Sequence, residues 1–296
     1  MYQPNSHNLD AAEPQMRAPR LTRRSAMIVL AATALAPRAG FAEITARRDI
    51  RPELARRFAD DGTEGAFAAY DVTASQLIAS DAKRCETAFL PASTFKIPNS
   101  VIALDTGVVS DPDKDIFKWD GVKRPFEAWN RDHTLRSAIA ASAVPVYQEI
   151  AWRIGAERMQ RYLDAFEYGN RSIGGGIDRF WLTGELRTSA FEQIEFLDRL
   201  RRGVLPASKR AQELTRDITP VTKVGEALIY NKTGLVGVDD RTKAGEVRPA
   251  LGWIVGWAVK GSNQTLFALN LDTREDRHIG SRMKLTQQLL ADIGAI

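Results

Sequence analysis

Ser93 and Lys96 stand three residues apart in the stretch Leu90-Pro91-Ala92-Ser93-Thr94-Phe95-Lys96-Ile97-Pro98-Asn99. On a helix they share one face, one turn apart. A serine hydroxyl is a weak nucleophile until a base takes its proton, and a lysine is such a base only after losing its charge. Phe89, Leu90, Phe95 and Ile97 make the neighbourhood apolar. A lysine there is either desolvated or reaches along its stem to water. S-x-x-K arises roughly once by chance in a chain of this length, so by itself it reads equally as a surface serine beside a surface lysine. Three later tripeptides, Ser142-Ala143-Val144, Tyr168-Gly169-Asn170 and Lys232-Thr233-Gly234, stand in order behind it. Lys232-Thr233-Gly234 lies in a strand-like run, where glycine permits close approach of the backbone to a ligand.

The elements that must position these residues follow from periodicity. Ala66–Val72 and Gln76–Ser80 read as two strands around a turn at Thr73-Ala74-Ser75. The Ser93 helix is expected to run to about Thr106 and stop at Gly107, although Pro98 inside it would forfeit the bond to the Thr94 carbonyl. Residues 108–217 read as mainly helical. Pro145 starts one helix to Ile154, ended by Gly155. Ala156–Phe166 is another, and Ser189-Ala190-Phe191-Glu192 is a capping box opening a helix over Ala190–Arg202. Gly174-Gly175-Gly176 marks a flexible loop. Strand-length apolar runs return at Leu228–Leu235, Leu251–Lys260 and Thr265–Asp272, and a helix over about Ile279–Ile293 closes the chain. The expected fold is therefore α+β: an antiparallel sheet flanked by helices, built from about 43–107 and 218–296, with an inserted mainly helical subdomain at about 108–217. A cleft between such parts is a common place for a site.

Composition narrows the function classes. The chain has 296 residues, 44% hydrophobic and 26% charged, with net charge +4. Residues 1–42 hold Arg17, Arg20, Arg23, Arg24 and Arg38 against Asp10 and Glu13, which leaves the remainder at +1. A nucleic-acid partner loses its electrostatic basis. The single cysteine, Cys85, excludes an internal disulfide. His7, His133 and His278 are far apart, and no zinc-ligand spacing occurs. Arg23-Arg24 precedes the apolar run Ala26–Ala36, which is too short to span a bilayer, and Gly40-Phe41-Ala42 supplies small residues for cleavage. Residues 1–42 are expected to be an export signal, by the twin-arginine or the general route, leaving 43–296 periplasmic and without a stable membrane anchor. Translation could begin at Met1 or Met16.

S-x-x-K, then a second serine motif, then K-T-G is the order of the penicilloyl-serine transferases. Over about residues 65–290 the chain resembles the class D serine β-lactamases, the oxacillinases. The resemblance is carried in detail by Leu90–Asn99, Val144-Pro145-Val146-Tyr147-Gln148-Glu149 and Gly252-Trp253-Ile254-Val255-Gly256-Trp257. Class A enzymes match less well: they carry S-D-N where this chain has Ser142-Ala143-Val144, and no segment resembles that of their deacylating glutamate.

The resemblance implies the following roles. Ser93 attacks the lactam carbonyl. Lys96 takes up carbon dioxide as a carbamate and serves as base, with no other cofactor and no metal. Trp181, in Phe180-Trp181-Leu182, donates its indole N–H to that carbamate. Val144 keeps the site apolar, and Ser142 passes protons toward the leaving nitrogen. The N–H groups of Ser93 and Leu235 form the oxyanion hole. Lys232, Thr233 and Arg282, with Gly234 allowing close approach, hold the substrate carboxylate, Arg282 bidentately. Tyr168-Gly169-Asn170 shapes the cleft. Tyr147 and Gln148 are read as helix packing, and His133 and His278 as structural or exposed. The partners implied are β-lactam small molecules, with the chain a monomer or homodimer. A β-lactam sensor that is acylated without turnover and a peptidoglycan transpeptidase or carboxypeptidase are the rival readings. The segment between Gly234 and Trp253, with the charged stretch 239–246, looks longer than in carbapenem-hydrolysing members, so the substrate range stays open.

Overall fold

The computed structural model describes residues 48–237 and 250–296; the export signal expected at 1–42 and the charged stretch 239–246 lie outside the described residues. Seven strands form one sheet in the order β1-β3-β2-β7-β6-β5-β4. β2 (Gly65–Asp71) and β3 (Gln76–Ala79) form the expected hairpin. Asp71 Oδ1 accepts from the N–H groups of Thr73 and Ala74, and Ser75 takes φ +50° to close the turn. β5 (Ala227–Leu235), β6 (Ala250–Lys260) and β7 (Asn263–Thr273) follow, and β7 pairs with β2, so both ends of the chain build the centre of the sheet.

The sheet is antiparallel as expected apart from its edge strand β1 (Arg48–Ile50), which pairs parallel with β3; the other pairings among the described residues are antiparallel. Residues 51–64, with a 3₁₀ turn and the short helix α1 (Arg56–Asp60), carry the chain from β1 to β2, and the β2–β3 hairpin then brings β3 back alongside β1 in the same direction. β1 and the opposite edge β4 (Val221–Val224) carry only three and four residues, too few to leave a period in the sequence.

Alternation along the strands divides the core in two. Phe67, Ile254, Phe267 and Leu269 face α9 (Arg277–Asp292) through Leu285 and Leu289. Ala66, Ala68, Trp253 and Val255 face the helical side, with Phe95, Val101 and Ile194. That side holds α2 (Ala82–Glu86), α3 (Lys96–Asp105), α4 (Leu135–Ala141), α5 (Val144–Ile154), α6 (Ala156–Ala165), α7 (Ala190–Arg202) and α8 (Lys209–Ile218). The capping box at Ser189 is formed in both directions, Glu192 N–H to Ser189 Oγ and Ser189 N–H to Glu192 Oε2. Pro98 causes no break, because α3 begins at Lys96 and places the proline in the first turn, where an N–H would have no intrahelical acceptor.

Candidate active site

A 3₁₀ turn over Ala92–Phe95 leads directly into α3. Ala92 takes φ +48°, a left-handed conformation that a residue with a Cβ rarely adopts. The Thr94 N–H and Oγ1 both donate to Pro91 O, at 3.2 and 2.7 Å. The turn lifts Ser93 to a half-buried position and drops Lys96 into the core, fully buried. Lys96 Nζ donates to Ser93 Oγ at 2.8 Å. Burial, with the Lys232 charge adding to it, holds the Lys96 ammonium well below its ordinary value. The amine lies 5.1 Å from the centroid of the Tyr147 ring.

Ser142 caps the C-terminus of α4 in the left-handed region, at φ +52°. The chain then reverses through Ala143 into α5, whose second residue is Pro145. Tyr147, one turn into α5, joins this motif to α3. Its hydroxyl pairs with Ser100 Oγ at 2.8 Å, and its carbonyl accepts from Asn99 Nδ2 at 3.5 Å. The packing role expected for Tyr147 is thus incomplete, since its ring also faces the Lys96 amine. Gln148 ties α5 to the loop after α6 through Asp178 O. No hydrogen bond joins the Ser142 hydroxyl to Ser93 or Lys96 among the described residues.

β5 brings the third motif to the Ser93 turn. A Cβ on Gly234 would lie 2.9 Å from Pro91 O, 3.2 Å from Thr94 Cγ2 and 3.3 Å from Thr94 N, so only glycine lets the strand come this close. Strand alternation fixes where the β5 N–H groups point. Asn231 N–H donates to Pro220 O on the β4 side, and Val236 N–H donates to Leu251 O on the β6 side. The odd-numbered Thr233 and Leu235 therefore present N–H toward the open edge beyond β4, which ends its pairing at Tyr230. That edge faces the turn, where the Ser93 N–H is a first-turn donor without an intrahelical acceptor.

Lys232 is 3% exposed, donates to Thr233 O at 3.0 Å and has a pKa lowered to about 7, by burial first and the Arg282 charge second. Arg282, on α9, donates from Nη1 to Gly234 O at 2.6 Å and from Nε to Ile279 O at 2.8 Å. Burial lowers Arg282 too, but a guanidinium stays protonated. With Nε and one Nη1 proton engaged, the bidentate grip expected of Arg282 would have to come from the remaining Nη protons. Lys232 and Arg282 bring positive charge to the cleft beside the Lys96 amine, which makes it a favourable place for an anion.

Trp181 is fully buried and stacks on Phe95, with ring centroids 5.6 Å apart at 28°. Its Nε1–H has no hydrogen-bond partner among the described residues. An unsatisfied buried donor costs roughly 1–3 kcal/mol, so it marks a place for an acceptor. Sequence reasoning missed Thr94 and Gln193 as site-building residues, and also Trp253, whose Nε1 donates to Leu90 O at 2.9 Å. Nothing in local spacing signals the Gln193–Thr94 and Trp253–Leu90 contacts, because each joins distant parts of the chain. The described residues hold no cluster of three or more His, Cys, Asp or Glu side chains suited to a metal. His133 is held by Ser137 Oγ and Ala128 O, and His278 Nδ1 accepts from Glu275 N–H while Nε2 faces Asp61 O.

The penicillin-binding-protein transpeptidase domain family matches residues 59–293. Beta-lactamase OXA-5 of Pseudomonas aeruginosa is 41% identical over 241 residues, 81% of this chain and 88% of that protein. Beta-lactamase OXA-48 of Klebsiella pneumoniae is 42% identical over 233 residues, 79% of this chain and 84% of that protein. The chain belongs to the class D β-lactamase family. Among solved structures, the class D β-lactamase FUS-1 (OXA-85) of Fusobacterium nucleatum subsp. polymorphum superimposes with TM-score 0.77 at 33% identity, covering 84% of this chain and all of that one. The sheet flanked by helices matches the fold of the family.

Proposed function

We propose that this β-lactamase hydrolyses β-lactam antibiotics through an acyl-enzyme on Ser93 and so gives resistance to them. The observation that carries the reading is the 2.8 Å contact between Ser93 Oγ and a fully buried Lys96 Nζ. The substrate carboxylate binds among Lys232, Thr233 and Arg282. The Ser93 hydroxyl proton passes to the base at residue 96 as Oγ bonds to the lactam carbonyl carbon. The carbonyl oxygen takes the negative charge and is met by the Ser93 and Leu235 N–H groups, the kind of stabilisation worth about 3–4 kcal/mol per donor. As the ring C–N bond breaks, Ser142 passes a proton to the nitrogen, and Val144 keeps the site dry. Water then releases the acyl group.

Lys96 is read as carrying a carbamate, which would supply an anionic base at the Ser93 hydroxyl and later at the water. The residues fit such a group. Burial disfavours the ammonium, which cannot react with carbon dioxide, and the orphaned Trp181 Nε1–H supplies a donor for an anion.

Multiple turnovers of a chromogenic cephalosporin test the hydrolysis; a single stoichiometric burst would make the protein a β-lactam sensor. A carbon-13 carbamate signal after labelled bicarbonate, absent in Lys96→Ala, tests the modification. Export rests on the 1–42 reading, and a periplasmic protein beginning at Glu43 is its check. A mature protein that retains Arg23 and Arg24 would overturn it.

A further inference from the structure

Helix α7 lies behind the nucleophile turn and sends one buried amide into it. Gln193 is 2% exposed. Its Nε2 donates to Thr94 Oγ1 at 2.9 Å, and its Oε1 accepts from the Tyr168 hydroxyl at 3.1 Å. Thr94 Oγ1 gives its own proton to Pro91 O, so toward Gln193 it can only accept. The chain therefore runs one way, from Tyr168 to Gln193 to Thr94 to Pro91 O. Burial pushes the Tyr168 phenol up, which keeps it a donor across the working pH range.

The far end of this chain is the contact surface of β5. Pro91 O and the Thr94 N and Cγ2 atoms are the ones that a Cβ on Gly234 would meet. Their position sets how far β5 stands from the turn, and so the distance between the N–H groups of Ser93 and Leu235. We propose that Gln193 is a positioning residue of the oxyanion hole: by holding Thr94, and through it Pro91 O, it fixes the gap that the two N–H groups span. The inference rests on the acyl-serine reading above. It also gives Tyr168-Gly169-Asn170 a physical purpose. Gly169 has φ +52°, and a Cβ there would fall 2.0 Å from Arg187 O. Asn170 Oδ1 accepts from the Arg187 N–H at 2.9 Å. The loop is thereby anchored with the Tyr168 hydroxyl against Gln193.

The test uses Gln193→Leu, Thr94→Val, the double variant and Thr94→Ser. Each is measured for melting temperature, kcat, KM and the inhibition constant of an arylboronic acid, whose adduct with Ser93 is tetrahedral and anionic. Loss of one neutral hydrogen bond predicts about three- to tenfold weaker boronate binding in Gln193→Leu, with an equal fall in kcat and KM within about twofold. Thr94→Val, which also loses the bond to Pro91 O, should lose at least as much, the double variant should be no worse than Thr94→Val, and Thr94→Ser should recover most of the loss. If Gln193→Leu does not fold, the two Thr94 variants carry the same comparison. Unchanged boronate binding, or losses that add in the double variant and follow melting temperature alone, would overturn the inference. Intact mass of the wild type with a β-lactam separates the two failures. No acyl adduct and no boronate binding defeats the acyl-serine reading itself, whereas an adduct with unaffected variants defeats only the role of Gln193.

Discussion

At the scale of the residue, two side chains have environments that dictate their behaviour. Trp181 has a buried indole N–H with no acceptor among the described residues, which is unfavourable unless an acceptor occupies the place beside it. Trp181→Phe keeps the ring stacked on Phe95 and deletes the donor. If Lys96 carries the proposed carbamate, the variant loses a charge-assisted hydrogen bond in that form alone, so it should need about tenfold or more bicarbonate for half-maximal activity. Titrating bicarbonate into degassed buffer measures this, and an unshifted midpoint would remove Trp181 from the role. Lys232 has its pKa lowered to about 7 by burial and by Arg282. The kcat/KM profile reports the free enzyme. As pH rises through about 7, Lys232 loses its charge and capture of a carboxylate weakens, so kcat/KM should fall on the alkaline side. Lys232→Arg keeps its charge at all these pH values and should flatten that limb. A limb unaltered in the variant would assign it to another group.

At the scale of the element, the site depends on one strand lying against one turn. β5 reaches the Ser93 turn only because residue 234 lacks a side chain, with Pro91 O 2.9 Å from where a Cβ would be. Gly234→Ala must push the strand away by a few tenths of an ångström, since the opposing atoms include backbone. Misplacement on that scale lowers rates by about tenfold. The expected result is a loss of kcat far out of proportion to the loss of melting temperature, measured on the same preparation. A fully active Gly234→Ala would mean that β5 and the turn tolerate separation and that the oxyanion hole lies elsewhere.

At the scale of the whole molecule, Asp105 joins three helices. From the end of α3 it accepts from the Tyr162 hydroxyl of α6 at 2.6 Å and from the Ser208 N–H that opens α8 at 2.8 Å. Burial acts to raise its pKa, but these hydrogen bonds win and hold the carboxyl below its ordinary value. A carboxyl depressed in the folded state stabilises the fold above the unfolded pKa, near 3.9, and that contribution is lost as pH falls through the folded value. Asp105→Asn should therefore lower the melting temperature by about 2–4 °C at neutral pH. The gap from the wild type should close below about pH 4. A gap constant across that range would show that Asp105 acts through shape alone.

The sequence by itself determined the elements whose signals are local. The Ser189 capping box, Pro145 at the start of α5, the β2–β3 turn and the three long strands of the C-terminal half were legible because each is written in neighbouring residues or a short period. The order of Ser93-x-x-Lys96, Ser142 and Lys232-Thr233-Gly234 identified the family for the same reason. Only the tertiary structure decided what those motifs face. The parallel pairing of β1 is set by a partner 29 residues along the chain, Arg48 against Leu77, and three residues carry no period that could announce it. Tyr147 facing the Lys96 amine, Gln193 reaching Thr94 and Arg282 engaging Gly234 O join residues 48 to 99 positions apart. Lys96 likewise reads in sequence as either buried or exposed. Its depressed charge exists because folding seals it inside the core and brings a second ammonium, that of Lys232, close to it. Desolvation and charge repulsion of this kind depend on distances through space, which spacing along the chain does not encode.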